Sequence, residues 1–449
     1  MFENEIYRSQ KDSAAYLKSQ PSLKFEHDPT AENKVLNIYK DLQYQEIEGF
    51  GSALTDAAAE NFGKMSEKTK AAFIKACFDP KDGLGLNYCR CHINSCDFSA
   101  TGYTYTEEND TSLSSFSIAH DEKWIIPMIQ AAQKASNGEL KLLASPWSPP
   151  AWMKDNKDML HGGKLLPAFY STWADYIVRY LQEYAQRGVD ISAITVQNES
   201  MAVQTWESCI YTAKEQVLFV RDYLKPALKN AGLQTEIFIW DHNREHIVDW
   251  ALALKEIPGG VDCVDGIAFH WYSGEHYQGL QMAHELCPDQ KLFATEFCFG
   301  MHPGKPLASF DEGARYAHDM IHNFNNHMRA TMDWNLILDE DGGPYHARGG
   351  GCKAPLHYDT KSDTLMFGAT YYAIAHFSKF VARGARRLGT TSYSADIDIA
   401  AFLNPNGDIV AVVLNRSDKP VEDLLLRIGD MAAKTELPAH SLSTMVIHP

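Results

Sequence analysis

The chain lacks most of what would mark a function by composition alone. Its 449 residues carry 58 Asp and Glu against 41 Lys and Arg, a net charge of −17. The basic surface that nucleic acid or an anionic membrane requires is therefore missing. No apolar run approaches the ~20 residues of a membrane span. The opening MFENEIYRSQKDSAAYLKSQ has early acids and no apolar stretch, so no signal peptide is read there. Cysteine is sparse and unpatterned: Cys77, Cys89, Cys91, Cys96, Cys209, Cys263, Cys287, Cys298 and Cys352. An odd count without a leader favours reduced thiols in a cytoplasmic setting. Cys89, Cys91, His92 and Cys96 look superficially like a metal cluster. Cys89 and Cys91 lie two apart on a predicted strand, and no second C-x-x-C or paired-histidine motif follows. They read as small buried hydrophobes, and no metal or other cofactor is expected. A dinucleotide site is excluded too, because Gly49-Phe50-Gly51-Ser52-Ala53-Leu54 lacks the third glycine of the phosphate turn. Internal repeats, low-complexity runs and long linkers are also missing.

What is present is alternation. Short apolar runs near 47–54, 88–93, 142–147, 193–198, 236–240, 266–270, 292–295 and 331–338 read as strands. Between them lie segments of helical spacing at 57–78, 124–135, 168–187, 213–231, 245–254, 277–286 and 311–325, with 369–380 after the last. Eight such pairs predict an α/β fold of the (β/α)₈ barrel type over residues 47–385. From about Ser392 the period changes to two. Asp396–Leu403 and Ile409–Asn415 flank the turn Asn404-Pro405-Asn406-Gly407-Asp408, and 424–428 and 443–447 add strands. Val35-Leu36-Asn37-Ile38-Tyr39 also alternates, and a lone strand cannot hold itself. An antiparallel β-sandwich built from both chain ends, 1–46 and 386–449, is therefore expected beside the barrel.

Two glutamates carry the chemical reading. Glu199 closes Ala193-Ile194-Thr195-Val196-Gln197-Asn198-Glu199, and Glu296 closes Lys291-Leu292-Phe293-Ala294-Thr295-Glu296. In a parallel barrel all strands deliver their carboxyl ends to one mouth. Two carboxyl groups facing across it can protonate a leaving oxygen and attack an anomeric carbon. The other ends supply Asp56, Asp97, Trp147, Trp152, Asn198, Asp241, His242, His270, Tyr272 and Trp334. Aromatic faces with carboxylates and amides suit a sugar. No Lys/Arg cluster lines these ends, which argues against phosphate. Arg90, inside a strand, needs a carboxylate partner: Glu296 on the chemical reading, Asp56 or Asp97 on a structural one. Mutual repulsion should raise one glutamate, while a nearby cation lowers the other.

The ordered motifs resemble glycoside hydrolase family 30, the acid β-glucosidase or glucosylceramidase family. They are Glu48-Gly49-Phe50-Gly51, Thr55-Asp56-Ala57, Arg90, Ser95-Cys96-Asp97-Phe98-Ser99, Ser145-Pro146-Trp147-Ser148-Pro149-Pro150-Ala151-Trp152, Gln197-Asn198-Glu199, His270-Trp271-Tyr272, Thr295-Glu296, Trp334-Asn335-Leu336 and Gly342-Gly343-Pro344. The resemblance implies Glu199 as general acid/base and Glu296 as nucleophile of a retaining enzyme. Asn198 would bind the sugar 2-hydroxyl, and Asp97, Trp147 and Trp334 would hold the terminal sugar. His270 and Tyr272 would bond around the nucleophile, supported by Arg90. The two carboxyls should then lie about 5–5.5 Å apart, where about 8 Å would indicate inversion. Ser200 stands where relatives usually carry proline, and the loop Met201–Ser208 is short. A soluble β-glucoside is thus expected rather than a lipid, with β-xylosidase or β-1,6-glucanase action as the alternative. Trp206 could stack an aglycone or simply anchor its loop. The expected partner is a small carbohydrate or glycoside, and a homo-oligomer is allowed.

Two rivals belong to other classes. A non-catalytic carbohydrate-binding barrel would not need both glutamates. A metal-dependent barrel hydrolase would use Asp56, Asp97, His242 and His270. Asp339-Glu340-Asp341 could hold a cation, although a solvated loop is the simpler reading.

Overall fold

A computed structural model describes residues 3–13, 16–28, 32–302, 305 and 307–449. Eight parallel strands close a barrel: Gly49–Ala53, Tyr88–Ile93, Lys141–Pro146, Ala193–Thr195, Glu236–Asn243, Gly266–His270, Lys291–Glu296 and Met328–Asn335. Side-chain alternation sorts them. Tyr88, Leu143, Ala193, Phe238, Ala268, Phe293, Ala330 and Met332 fill the interior, while Cys89, Cys91, Ile237, Ile239, Ile267 and Phe269 face the helical ring. The floor is aromatic, with the Phe293 ring 4.5 Å from Phe238 and 5.3 Å from Tyr88. Polar side chains that point into the barrel beyond this plug, Arg90 among them, therefore lie toward the mouth, while Lys291 and Glu236 pair at the opposite, amino end of their strands.

The first two strands approach very closely at Gly51. A Cβ there would meet the Tyr88 carbonyl oxygen at 1.7 Å, so only glycine lets the strand carrying Arg90 pack against its neighbour.

The helical stretch read as one unit over 57–78 is two helices, Asp56–Lys64 and Glu67–Phe78. Ser66 separates them: its hydroxyl accepts the Thr69 N–H and caps the second helix. The stretch 213–231 likewise contains a π turn, Val220–Leu224, between helices Ala213–Phe219 and Lys225–Asn230. A three-stranded sheet, Ile337–Asp339, Leu356–Asp359 and Thr364–Phe367, follows the last barrel strand. It was not expected. Asp339 caps its own loop by accepting the N–H groups of Asp341 and Gly343, and Glu340 accepts from Thr360.

The second unit is a ten-stranded sheet that draws strands from both chain ends. Asn4–Gln10 pairs with Ser441–Ile447, and Val35–Glu46 pairs with Arg386–Ser392. Its buried side includes Ile6, Leu36, Ile38, Ile399, Val413, Leu426 and Met445, each side chain contributing about 1.5–3 kcal/mol. The sheet is antiparallel except for Val35–Glu46 with Val421–Ile428. A parallel pair needs a long crossover, and here the whole barrel lies between the two strands. Polar contacts fix the units together: His318 and His322 meet Asp398 at 2.7 and 3.2 Å, and Arg416 reaches the same carboxylate at 3.0 Å.

Candidate active site

Backbone irregularities at the strand ends build the site. In the strand Glu236–Asn243, Phe238 faces inward, so regular alternation would aim Trp240 inward as well. The ladder to Gly266–His270 instead skips a residue: Ala268 opposes Trp240, but Phe269 opposes His242. Trp240 and Asp241 take φ values of 73° and 55°. This bulge turns Trp240 outward onto Trp250, ring centres 3.9 Å apart, and swings Asp241 into the barrel. A second shift lets His270 oppose Glu296, so Thr295 and Glu296 both face the mouth. Glu199 has φ 48°, and its N–H is held by the Asp241 carbonyl at 2.8 Å. Left-handed backbone at a non-glycine residue is costly and persists where surrounding bonds fix it.

These turns gather the polar side chains around Asp241, which is fully buried. One of its oxygens accepts from Arg90 Nη2 at 2.9 Å, Thr195 Oγ1 at 2.6 Å and Ser145 Oγ at 3.0 Å. The other accepts from Thr295 Oγ1 at 2.5 Å and meets His270 Nε2 at 3.1 Å. Burial acts to raise this carboxyl, but the Arg90 charge and the His270 bond outweigh it and hold Asp241 well below the usual range. Arg90 completes its fork with Glu296 Oε2 at 2.6 Å, Asn198 Oδ1 at 2.8 Å and Ser145 Oγ at 3.1 Å. Its partners are thus Glu296 and Asp241, while Asp56 pairs with His120 at 3.0 Å and Asp97 with Arg348 at 2.7 Å. Because Arg90 takes the Asn198 oxygen, the Asn198 amide N–H₂ is left for the pocket.

Above this layer lie the two glutamates. Oxygens of Glu199 and Glu296 and a nitrogen of His270 all lie within 4.8 Å of one another. Tyr272 donates to Glu296 Oε1 at 3.0 Å. His270 does not bond the Glu296 carboxylate but Glu199, through Nδ1 to Oε1 at 3.2 Å. The imidazole is held between two acids. Burial lowers its pKa, yet the Glu296 charge and the bonds to Asp241 and Glu199 push it up to about 9. This imidazolium sets the bias of the free site. Burial raises Glu199, but the His270 bond and the His242, His270 and Arg90 charges bring it below the ordinary range. Burial carries Glu296 above that range against His270 and Arg90, with the Glu199 charge adding. The pair is split, but in the sense opposite to the expected roles: in the free site the Arg90 partner Glu296 is raised, mainly by burial, and Glu199 is lowered. The two protonations belong to the pair.

One cavity of about 330 Å³ opens over these groups. Asp97, Trp147, Asn198, Glu199, Trp206, Tyr272, Glu296 and Trp334, all singled out from the sequence, line it. Trp147 and Trp334 stack at 5.2 Å and 25°, forming an apolar wall. The Arg90 guanidinium lies 4.7 Å from the Trp147 ring. Arg90 and His270 are fully buried beneath the cavity. Sequence reading passed over Arg348, Cys298, Cys352 and Gln204 in the lining, and saw Asp241 only as a strand end. A charged residue inside a β-rich run was the available signal for Asp241; nothing local marked Arg348.

The other candidate groupings do not assemble. Cys91 Sγ contacts Tyr180 Oη at 3.6 Å, and His92 is occupied by the Asp56 N–H and the Asn94 carbonyl. Among the described residues, Asp56, Asp97, His242 and His270 form no joint ligand set, and no helix is long and apolar enough to cross a membrane.

Comparisons with known proteins identify the family. The model of the glycosyl hydrolase family 30 TIM-barrel domain matches residues 47–381, and that of the family 30 beta sandwich domain matches residues 384–445. The chain is 34% identical to the lysosomal acid glucosylceramidase of Mus musculus over 92% of its own length and 84% of the relative's. It is 29% identical to the endo-1,6-beta-D-glucanase BGN16.3 of Trichoderma harzianum over 90% and 84%. Among solved structures, SrfJ from Salmonella typhimurium superposes with a TM-score of 0.95 at 36% identity, covering 99% of each chain. The endo-beta1,6-glucanase BT3312 gives 0.88 at 27%, again over 99% of each. With both of its units matched and its two glutamates facing across one mouth, the chain belongs to glycosyl hydrolase family 30 and is a glycoside hydrolase.

Proposed function

We propose that the protein hydrolyses β-glucosides with retention, by a double displacement in which Glu296 is the nucleophile and Glu199 the acid/base. The observation that carries this reading is the close approach of the two carboxyls, with oxygens within 4.8 Å. That short spacing suits direct attack on a sugar carbon rather than the wider separation of an inverting pair. Arg90 and Tyr272 each hold one oxygen of Glu296. They fix the carboxylate in orientation and favour the charged form that attack requires.

The reactive form is the one whose shared proton sits on Glu199. Glu296 attacks the anomeric carbon while Glu199 gives its proton to the departing oxygen, leaving a glycosyl ester on Glu296 and a charged Glu199. Glu199 then takes a proton from water, the oxygen of which attacks the same carbon and frees Glu296. Asn198, fixed by Arg90, directs its amide to the sugar 2-hydroxyl, and the Trp147–Trp334 wall supports the ring. His270 steadies Glu199 in its charged state between the two steps.

A β-1,6-glucanase activity is the second reading, favoured by the likeness to BT3312 over the whole chain. A β-xylosidase is the remaining alternative within the family. On the aglycone side, Trp206 lines the cavity while Met201 and Val203 of the same loop are exposed, so an aglycone with some apolar surface is accommodated. Aryl β-glucoside, β-xyloside, β-fucoside and β-galactoside, together with a β-1,6-glucan, should be assayed side by side. Glu296→Gln is expected to abolish turnover of every substrate. Glu199→Gln should retain the first step for good leaving groups, seen as a burst. Full turnover by Glu296→Gln would overturn the assignment.

A further inference from the structure

We propose that Arg348 is a specificity-determining residue of the sugar pocket, acting with Asp97 as a paired donor and acceptor for neighbouring hydroxyls of the bound sugar. This rests on the reading of the cavity as a sugar site. Arg348 comes from the loop between the strands Ile337–Asp339 and Leu356–Asp359, just after Gly342-Gly343-Pro344 and far in sequence from both glutamates. Its Nη1 donates to Asp97 Oδ2 at 2.7 Å, and both residues line the cavity. Among the described residues no bond reaches Asp97 Oδ1, so that oxygen is left to accept from a ligand. The guanidinium lies over the Phe98 ring at 4.8 Å and the Trp206 ring at 5.5 Å. Its Nε is buried without a hydrogen-bond acceptor. Aromatic packing therefore fixes the plane of the fork, and Asp97 takes one of its arms.

The loop carrying Arg348 is itself tied down. The Thr205 hydroxyl donates to the Ala347 carbonyl at 2.7 Å, His346 Nε2 meets Glu207 Oε1 at 3.0 Å, and the His346 N–H bonds the Asp97 carbonyl at 3.0 Å. Asp97 needs a cation there. It is buried and faces the charges of Glu296, Glu207 and Glu199, and the Arg348 charge opposes them. Even with Arg348 in place its carboxyl is pushed up to about 7, burial being the main cause. Without Arg348 the same surroundings would keep Asp97 protonated at neutral pH. A neutral Asp97 is a weaker and less directional acceptor.

Arg348→Ala, Arg348→Lys and Arg348→Gln should be compared with the unaltered chain in two ways. The first is calorimetric binding of a polyhydroxylated piperidine that carries the hydroxyls of glucose, which reads the pocket whether or not turnover occurs. The second is kcat and KM on aryl β-glucoside and its C4 epimer across pH 5–9. Arg348→Ala is expected to weaken piperidine binding about 10- to 100-fold, the worth of a hydrogen bond to a charged group. KM should rise more than kcat falls, and the preference between epimers should shrink. The pH at which binding is half-maximal should move upward, Arg348→Lys should recover part of the loss, and added guanidinium should rescue Arg348→Ala. Unchanged piperidine affinity and epimer preference in a folded variant would overturn the proposal. So would a uniform loss across sugars without a pH shift or guanidinium rescue, which would mark a structural role. Failure of the chemical reading is distinguishable: Glu296→Gln would then leave turnover intact while the Arg348 variants still lost affinity.

Discussion

Asp241→Asn is the most discriminating single change in this molecule. It preserves shape and removes one buried charge. Asp241 accepts from Arg90, Ser145, Thr195 and Thr295 and contacts His270, all within 3.1 Å. An asparagine must turn its N–H₂ toward one of two sets: Thr295 and His270, or Arg90, Ser145 and Thr195. Either way at least two former donors face another donor. Hydroxyls can rotate to accept, but the guanidinium of Arg90 and the imidazolium of His270 cannot. Arg90 keeps Glu296 and Asn198, so it is not stranded. The cost is that of the buried donors left facing a donor, about 1–3 kcal/mol for each unsatisfied group, so a total of about 2–5 kcal/mol is expected. Urea unfolding at pH 7, followed by tryptophan fluorescence, should show that loss with an unchanged m-value. His270 should lose much of its upward shift, since the Asp241 bond is among its causes. A loss below about 1 kcal/mol would refute the idea that Asp241 organises the site.

Two further outcomes follow from the same contacts. His270 is held up to about 9 in the folded chain, against an unfolded value of about 6.5. Its contribution is present in full below pH ~6.5 and is lost as pH rises through about 9, amounting to about 3 kcal/mol. Unfolding free energy should fall over that window in the unaltered chain, and the fall should vanish in His270→Gln. If the two pH profiles run parallel, His270 is not the titrating group. Gly51→Ala places a methyl 1.7 Å from the Tyr88 carbonyl oxygen. Two backbone strands cannot yield there as a side chain would, so a loss of about 3 kcal/mol or more is expected by thermal or urea unfolding. An alanine variant with native stability would mean that the close approach of these strands is not required.

The barrel was legible because its cause is local and repeated. Each strand is a short β-branched or apolar run, each helix has its own spacing, and eight repetitions leave few architectures. The two glutamates were legible for a related reason. A charge at the end of a buried strand has little packing rationale, and the parallel barrel places all such ends together. The split of 57–78 into two helices was not read, although Ser66 in an otherwise helical run was the available sign. The sandwich strand Asn4–Gln10 was hidden because its burial depends on Ser441–Ile447, more than 400 residues away.

Asp241 and Arg348 show where local sequence stops deciding. Alternation from Phe238 aims Trp240 into the barrel. Only the bulge against Gly266–His270 turns it out and brings Asp241 in, and a bulge is a property of two paired strands rather than of one. Arg348 lies in a loop whose course is set by ties to Thr205, Glu207, Asp97 and Ser99, each from another part of the chain. The sequence alone determined the alternation of strand and helix in the barrel and the acids at its mouth, because periodicity and end position are written residue by residue. The tertiary structure decided which cation faces which acid, since a charge in low dielectric is governed by neighbours a few ångströms away in space, wherever they lie along the chain.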